Sequence, residues 1–533
     1  MTSLSGTGPL ARLALRRSRA VLVGGILVLV VIAAASAEAT VGLYPTLPSR
    51  VEAAGAVNGS QALVALFGRI YDPSSIGALA MIKTGSIGAV FVALLSIVLV
   101  VQHTRADEEA GRTELAGGTA LGRLAPLAAA LGLVLAANIG LALLTAAALT
   151  ASGLPAAGSL AFGCAWGGVG LAFAAVAAVA AQLTTGARAA TALSAVVLAV
   201  VYVLRAVGDT ASADGPRWLS WLSPIGWAQQ FRPYAGDRWW VLLITLGFAG
   251  AVAGAAFLLR ARRDLGAGLL PARAGPARAV AALGSPLGLA WRLHRGALLG
   301  WTVAFAAVGV LVGGMASDVS GFLNNPNARD LITRLGGEKA LGDAFLAVEF
   351  GFLALLASAY GIQVVLRLRS EETGLRAEPV LAAAVGRVRW TLSHVAVALA
   401  GTTLLLGVAG VTAGLAYGAR AGDLSEAWRV VAAGLVQLPA VWVLAALVVA
   451  AFGLAPRFVV VGWVALAGVV LLGELGPLLE LPQWALDLSP FAHVPKFPGA
   501  AFSLVPVVAL TAVAALLGAA GLSGIRRRDI GGP

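Results

Sequence analysis

Asp107-Glu108-Glu109-Ala110-Gly111-Arg112-Thr113-Glu114 is a charged island between two long apolar runs, at about 84–102 and 124–151. An apolar run of roughly 20 residues is long enough to cross a bilayer as a helix. The island therefore reads as a connection between two spanning helices. A second copy, Ser370-Glu371-Glu372-Thr373-Gly374-Leu375-Arg376-Ala377-Glu378, lies between runs at about 344–366 and 390–418. Each island is followed by a Gly-Arg pair, Gly122-Arg123 and Gly386-Arg387, just before the next apolar run.

The composition agrees with this reading. Of the 533 residues, 59% are hydrophobic and 12% are charged. A soluble domain carries about 25% charged residues. The fold class expected is an all-α polytopic membrane protein. A transmembrane barrel would show short alternating segments instead. The net charge of +12 would suggest nucleic acid on a soluble chain. In a membrane chain the positive-inside rule accounts for it, and no nucleic acid partner is expected. Only Lys83, Lys339 and Lys496 are lysines, so arginine carries nearly all the positive charge. With the Ala, Gly and Val bias, this points to a high-GC bacterium and its plasma membrane. The lone Cys164 lies in an apolar run and excludes a disulfide framework.

Further runs bring the total to about twelve, six before the middle of the chain and six after it. The first, Ala20 to Ala37, follows Arg12, Arg16, Arg17 and Arg19 and competes with a signal peptide. It reads as a retained helix, because Leu13-Ala14-Leu15-Arg16 with Arg19 parallels Leu289-Ala290-Trp291-Arg292 with Arg295. Two more landmarks recur in order. Trp218-Leu219-Ser220-Trp221-Leu222-Ser223-Pro224 resembles Trp484-Ala485-Leu486-Asp487-Leu488-Ser489-Pro490, and Arg263-Asp264-Leu265-Gly266 resembles Arg528-Asp529-Ile530-Gly531. The chain thus divides into a first half at 1–265, a linker at 266–288 and a second half at 289–533, as two parallel six-helix repeats. The arginine-rich linker and the charge bias place both termini in the cytoplasm, and the islands with them.

Trp218, Trp221, Trp227 and Trp484 lie in segments that suit a membrane–water interface. Asn58-Gly59-Ser60 reads as a turn rather than a glycan acceptor. Lys83 and Glu349 lie near helix starts at similar depths. They either pair between the halves or snorkel to the outer interface. Asn138 and Gln437 suit hydrogen bonds between helices. No lysine ends a phosphate-binding Gly-Lys loop, so the chain holds no ATP site of that kind. The four histidines form no zinc pattern, and no metal or catalytic residue is expected.

As a short helix, each island would pair Glu108 with Arg112 and Glu372 with Arg376 at i,i+4. Glu109, Glu114, Glu371 and Glu378 would remain to face a partner. Glu108-Glu109-Ala110-Gly111-Arg112-Thr113-Glu114-Leu115 resembles the Glu-x-x-Gly-Thr-x-Glu-Leu coupling segment of type-2 ABC exporter permeases. The plan of six plus six helices is similar to the fused tetronasin-type exporters of polyketide antibiotics. The second copy departs from the pattern, with no Thr after Gly374 and one extra residue. The resemblance implies that both islands couple to a separate ATP-binding-cassette subunit, two copies per permease. That subunit would bind ATP and Mg, this chain would hold no cofactor, and hydrophobic compounds would be exported. The alternative is a proton-coupled secondary transporter, which would want carboxylates within the helices.

Overall fold

The computed structural model describes residues 3–118, 121–212, 215–270, 277–318, 337–475, 482–500 and 502–528. Every regular element among them is helical. The chain separates into two units, Met1–Gly275 and Pro276–Pro533. Among the described residues, eleven helices are long and apolar enough to cross a membrane. The expected span at about 457–476 meets a helix of 15 residues, Val461–Leu475. At 1.5 Å per residue that covers about 22 Å, short of a hydrocarbon core of about 30 Å. The chain beyond it, 476–481, lies outside the described residues, as do most of the loop at about 317–343 and Asp529-Ile530-Gly531.

In the first unit the leading helix, Thr7–Leu43, packs on Ala125–Ala151 and Ile76–Val101. Ala14, Ser18, Leu22, Leu29, Ala33 and Ala37 form one buried stripe along it. Val23, Val28 and Val31 on its other side are exposed, as lipid-facing positions are. The helices Ile76–Val101, Ala125–Ala151, Ala156–Leu183, Ala187–Thr210 and Trp240–Arg262 complete the unit. Ala156–Leu183 is its centre and packs on Ile76–Val101, Ala125–Ala151 and Trp240–Arg262. Small residues make that possible. A Cβ on Gly163 would collide with the Ala142 carbonyl oxygen, and one on Gly167 would lie 3.0 Å from the Asn138 carbonyl oxygen. This is the Gly-x-x-x-Gly approach of membrane helices, where close backbone packing replaces the hydrophobic effect. Asn138 also ties Ala125–Ala151 to Ile76–Val101, donating to Ser96 Oγ at 3.1 Å.

The second unit uses the same pairings. Pro286–Asp318 packs on Arg387–Ala421, and Leu438–Leu454 packs on both Gly337–Thr373 and Leu504–Arg527. Its fourth span breaks between Ala427–Leu435 and Leu438–Leu454, where Pro439 lacks the N–H that a continuous helix requires.

Residues 44–75 are not an open loop. Helices Leu47–Gly59 and Gln61–Phe67 fill them. Asn58, expected in a turn, lies instead in the last turn of the helix Leu47–Gly59, and gives and takes hydrogen bonds of 2.9 Å with the Ile70 backbone. Arg205 anchors this region. It is fully buried and donates to the Ala65 and Leu66 carbonyls at 2.8 and 3.2 Å, while Asp209 lies 3.5 Å from it. Of the aromatic residues expected at the interface, Trp218 and Trp484 are exposed and Trp221 is half-buried. Trp227 departs from that expectation. It is buried, because its indole N–H is satisfied inside the protein by the Trp221 carbonyl at 2.6 Å.

Replacing Gly163 by Leu should force the Ala125–Ala151 and Ala156–Leu183 helices apart and destabilise the protein by about 1–3 kcal/mol. Thermal unfolding of the detergent-solubilised variant measures this, and an unchanged midpoint would contradict the close-packed centre.

Candidate functional site

The first island continues its helix without a break. Ile76–Val101 runs into a π-helical turn, Gln102–Ala106, and a last turn, Asp107–Glu109. Such π turns are frequent at functional sites, where one extra residue re-aims the side chains that follow. The chain then turns at Gly111, whose φ of 71° is a left-handed conformation open to glycine. A short helix, Arg112–Gly117, comes next.

The acids of the island face inward. The Glu108 side chain is only 6% exposed. Its carboxylate accepts from Arg105 at 3.0 Å, from Arg263 at 2.6 Å and from the Gly266 N–H at 2.6 Å. Asp107 accepts a two-pronged pair from Arg17 at 2.9 and 3.0 Å, and a further bond from Arg112. Glu109 caps the helix Ala187–Thr210 by accepting from the Ala187 N–H at 2.9 Å. The free N–H groups at a helix start favour a carboxylate there.

Arginines complete the clamp. Arg105 is 1% exposed and donates to the Gly266 and Ala267 carbonyls at 2.9 and 3.0 Å, and to Thr185. Arg123 donates to the Arg263 carbonyl at 2.8 Å. Leu269 and Leu270 N–H groups cap the Gln182 and Leu183 carbonyls at 3.1 and 2.9 Å. Residues 266–270, expected in the linker, are therefore part of the first unit's packed end. All six spans of that unit meet at the island.

The pairings expected from i,i+4 spacing are replaced. Arg112 binds Asp107 rather than Glu108, because Glu108 is turned toward the buried Arg105 and Arg263. In the second unit Arg376 binds Glu371 at 3.0 Å rather than Glu372. Arg367 also binds Glu371, at 2.7 Å. Glu372 takes Arg369 at 3.1 Å and Arg528 at 2.9 Å. Arg387 donates to the Arg528 carbonyl.

These contacts set a register between the islands that differs from the one drawn on their glycines. Asp107 corresponds to Glu371, Glu108 to Glu372, Arg105 to Arg369, Arg112 to Arg376 and Arg123 to Arg387, at one constant offset. The extra residue of the second island disappears. The left-handed position of Gly111 falls on Leu375, which has a φ of 56°. Gly374 thus has no turn counterpart in the first island. Residue types alone align the two glycines, whereas the clamp aligns charges by what they touch.

Arg112 and Arg376 are half-exposed but ion-paired. Glu114 and Leu115 project from the first island, and Leu375 and Glu378 from the second. Leu115 is 82% exposed. Glu109 is exposed but engaged, and Glu371 and Glu372 are buried, so these three do not offer free carboxylates to a partner. Lys83 is exposed, well inside Ile76–Val101 rather than at its start, and Glu349 is half-buried in Gly337–Thr373. They belong to different units. Among the described residues no cluster suits a metal ion.

Removing a buried counter-charge is costly, because the arginines around it stay behind. Glu108→Ala should destabilise the protein by about 3–5 kcal/mol. Glu114→Ala, at an exposed position, should stay within about 0.5 kcal/mol. Unfolding of both variants in detergent compares them, and equal effects would contradict the clamp.

Residues 283–526 match the family described as the C-terminal domain of multidrug efflux system permease Rv1217c. The chain is also 45% identical over 532 residues to the multidrug efflux system permease protein Rv1217c of Mycobacterium tuberculosis, an alignment spanning 99% of this chain and 96% of that protein. Likeness of this degree over both units shows that the chain belongs to the family of Rv1217c-type multidrug efflux system permeases.

Proposed function

We propose that the chain is the membrane-spanning subunit of an ATP-binding-cassette exporter that moves hydrophobic compounds, antibiotics among them, out of a bacterial cell. ATP and Mg are used by a separate subunit, two copies of which sit on the permease. Both termini and both islands face the cytoplasm. The family supports efflux, and the acidic island supports the coupling role through its resemblance to type-2 exporter segments.

The observation that carries the proposal is the clamp in the first unit. A push on the short helix Arg112–Gly117 reaches Asp107 through Arg112, and from there the first helix through Arg17. Glu108 and Glu109 pass it on to the ends of the fourth, fifth and sixth spans. A rigid joint of this kind converts movement of a bound partner into movement of helices. The partner's contact then falls on Glu114 and Leu115, and on Leu375 and Glu378 in the second unit. Charged contacts at such a rim set orientation and on-rate more than affinity.

The test uses inverted membrane vesicles that contain the chain and its ATPase subunit, with uptake of a hydrophobic dye as readout. Glu114→Lys combined with Glu378→Lys should lower ATP-driven uptake about tenfold, equivalent to ~1.4 kcal/mol of lost docking. The amount of folded permease should not change. Uptake driven by an imposed proton gradient without ATP would overturn the proposal in favour of a secondary transporter. Unchanged ATP-driven uptake by the double variant would overturn the assigned contact.

A further inference from the structure

Beside the clamp, inside the first unit, lies a cavity of about 440 Å³. Its wall divides by chemistry. Arg17, Arg112, Arg123, Arg260 and Arg263 contribute five guanidinium groups, and Asp107 and Asp264 two carboxylates. Asp107 is already held by Arg17 and Arg112. Glu108, which stands behind the wall, is engaged by Arg105 and Arg263. The cavity therefore keeps an excess of positive charge.

Arg260 is the wall residue whose terminal nitrogen this arrangement leaves without a hydrogen bond. It is 6% exposed, and its Nη1 has no hydrogen-bond partner. The nearest carboxylate oxygen, Glu108 Oε1, is 3.9 Å away, beyond hydrogen-bond reach. A buried N–H donor that lacks an acceptor is costly, so such a group normally marks a missing one. The helix Ala125–Ala151 begins at the same cavity, and its cap residue Leu124 supplies no side-chain acceptor. Its start adds a positive dipole end to the wall, although Ala125 N–H is taken by the Gly122 carbonyl and Pro126 has no N–H.

The rest of the wall is apolar and reaches the surface. Pro126, Ala129 and Ala130 line its depth, and Leu13 and Leu265 at its margin are about half exposed. A small inorganic anion would leave this apolar part unused. A phosphodiester attached to an acyl chain would use both. Basic pockets between membrane helices take anionic lipid headgroups for this reason.

We propose that this cavity is a binding site for the phosphodiester headgroup of an anionic phospholipid, with Arg260 as its central ligand and the acyl chains leaving past Leu13 and Leu265. The site belongs to the first half only. By the matching landmarks of the second half, Leu293 stands where Arg17 does, and the fully buried Ile525 stands where Arg260 does. Two of the five guanidinium groups are thereby lost there. A lipid at this position bridges the first helix, the island and the end of the sixth span, and so ties the clamp to the composition of the membrane.

Native mass spectrometry of the full chain in detergent tests the site. The probes are palmitoyl-oleoyl phosphatidylglycerol, phosphatidylcholine with the same acyl chains, and inorganic phosphate. Phosphatidylglycerol should be retained about tenfold better than phosphatidylcholine, and Arg260→Met should remove that preference. The thermal midpoint of each variant checks that it is folded. If Arg260→Met does not fold, Arg112→Gln takes its place and should lower phosphatidylglycerol retention in the same direction. Equal retention of the two lipids would overturn the proposal. So would an undiminished preference in the folded variant. Inorganic phosphate bound as tightly as phosphatidylglycerol would replace the lipid with a free anion and overturn it as well.

Discussion

The carboxylate of Glu108, held by Arg105, Arg263 and the Gly266 N–H, is the constraint on which the first unit depends. Its donors come from the end of the second span and from the segment after the sixth. A charge buried at the margin of a membrane is tolerated only when it is paired and hydrogen-bonded. That requirement fixes where both segments end. Arg105 then holds the chain after the fourth span, Glu109 caps the fifth, and Arg123 brings in the third. One satisfied carboxylate thus organises an end of the bundle that apolar packing alone would leave free to slide.

The two units solve the same problem with the same charges but with different margins. Each carries an acid bonded to the arginine that follows the last span, and each has a second acid bonded to an arginine five residues on. The first unit adds Arg17 and Arg260, and with them a cationic cavity. The second has apolar residues at those places. The first island turns on a glycine, whereas the second turns on Leu375, a residue less suited to positive φ. An asymmetry of this kind suits a fused chain, in which each half is free to diverge.

At the other end of the first unit Arg205 has a comparable structural part. Intramembrane charges are by default candidates for transport. Arg205 is instead spent on the Ala65 and Leu66 carbonyls, with Asp209 and Ser220 completing its surroundings. The charged residues of this permease therefore lie mainly at helix ends, where they fasten segments together. The helix interiors are left to Gly, Ala and small polar groups such as Asn138.

The sequence by itself determined the class of fold and where the charged islands fall between its helices. Hydrophobic length marks a spanning helix whatever its neighbours are, and a charged island between two such runs has to lie outside the bilayer. The recurrence of Gly-Arg, the Trp-rich segments and the Arg-Asp pairs was legible for the same reason, since these are local words. What only the tertiary structure decided is which charges meet. Helical spacing suggested Glu108 with Arg112, whereas Glu108 binds Arg263, 155 positions away. The register of the second island, the burial of Trp227 and the missing hydrogen bond at Arg260 Nη1 were hidden likewise. A buried charge takes the partner that desolvation leaves within reach, and that partner is set by how six helices pack rather than by distance along the chain.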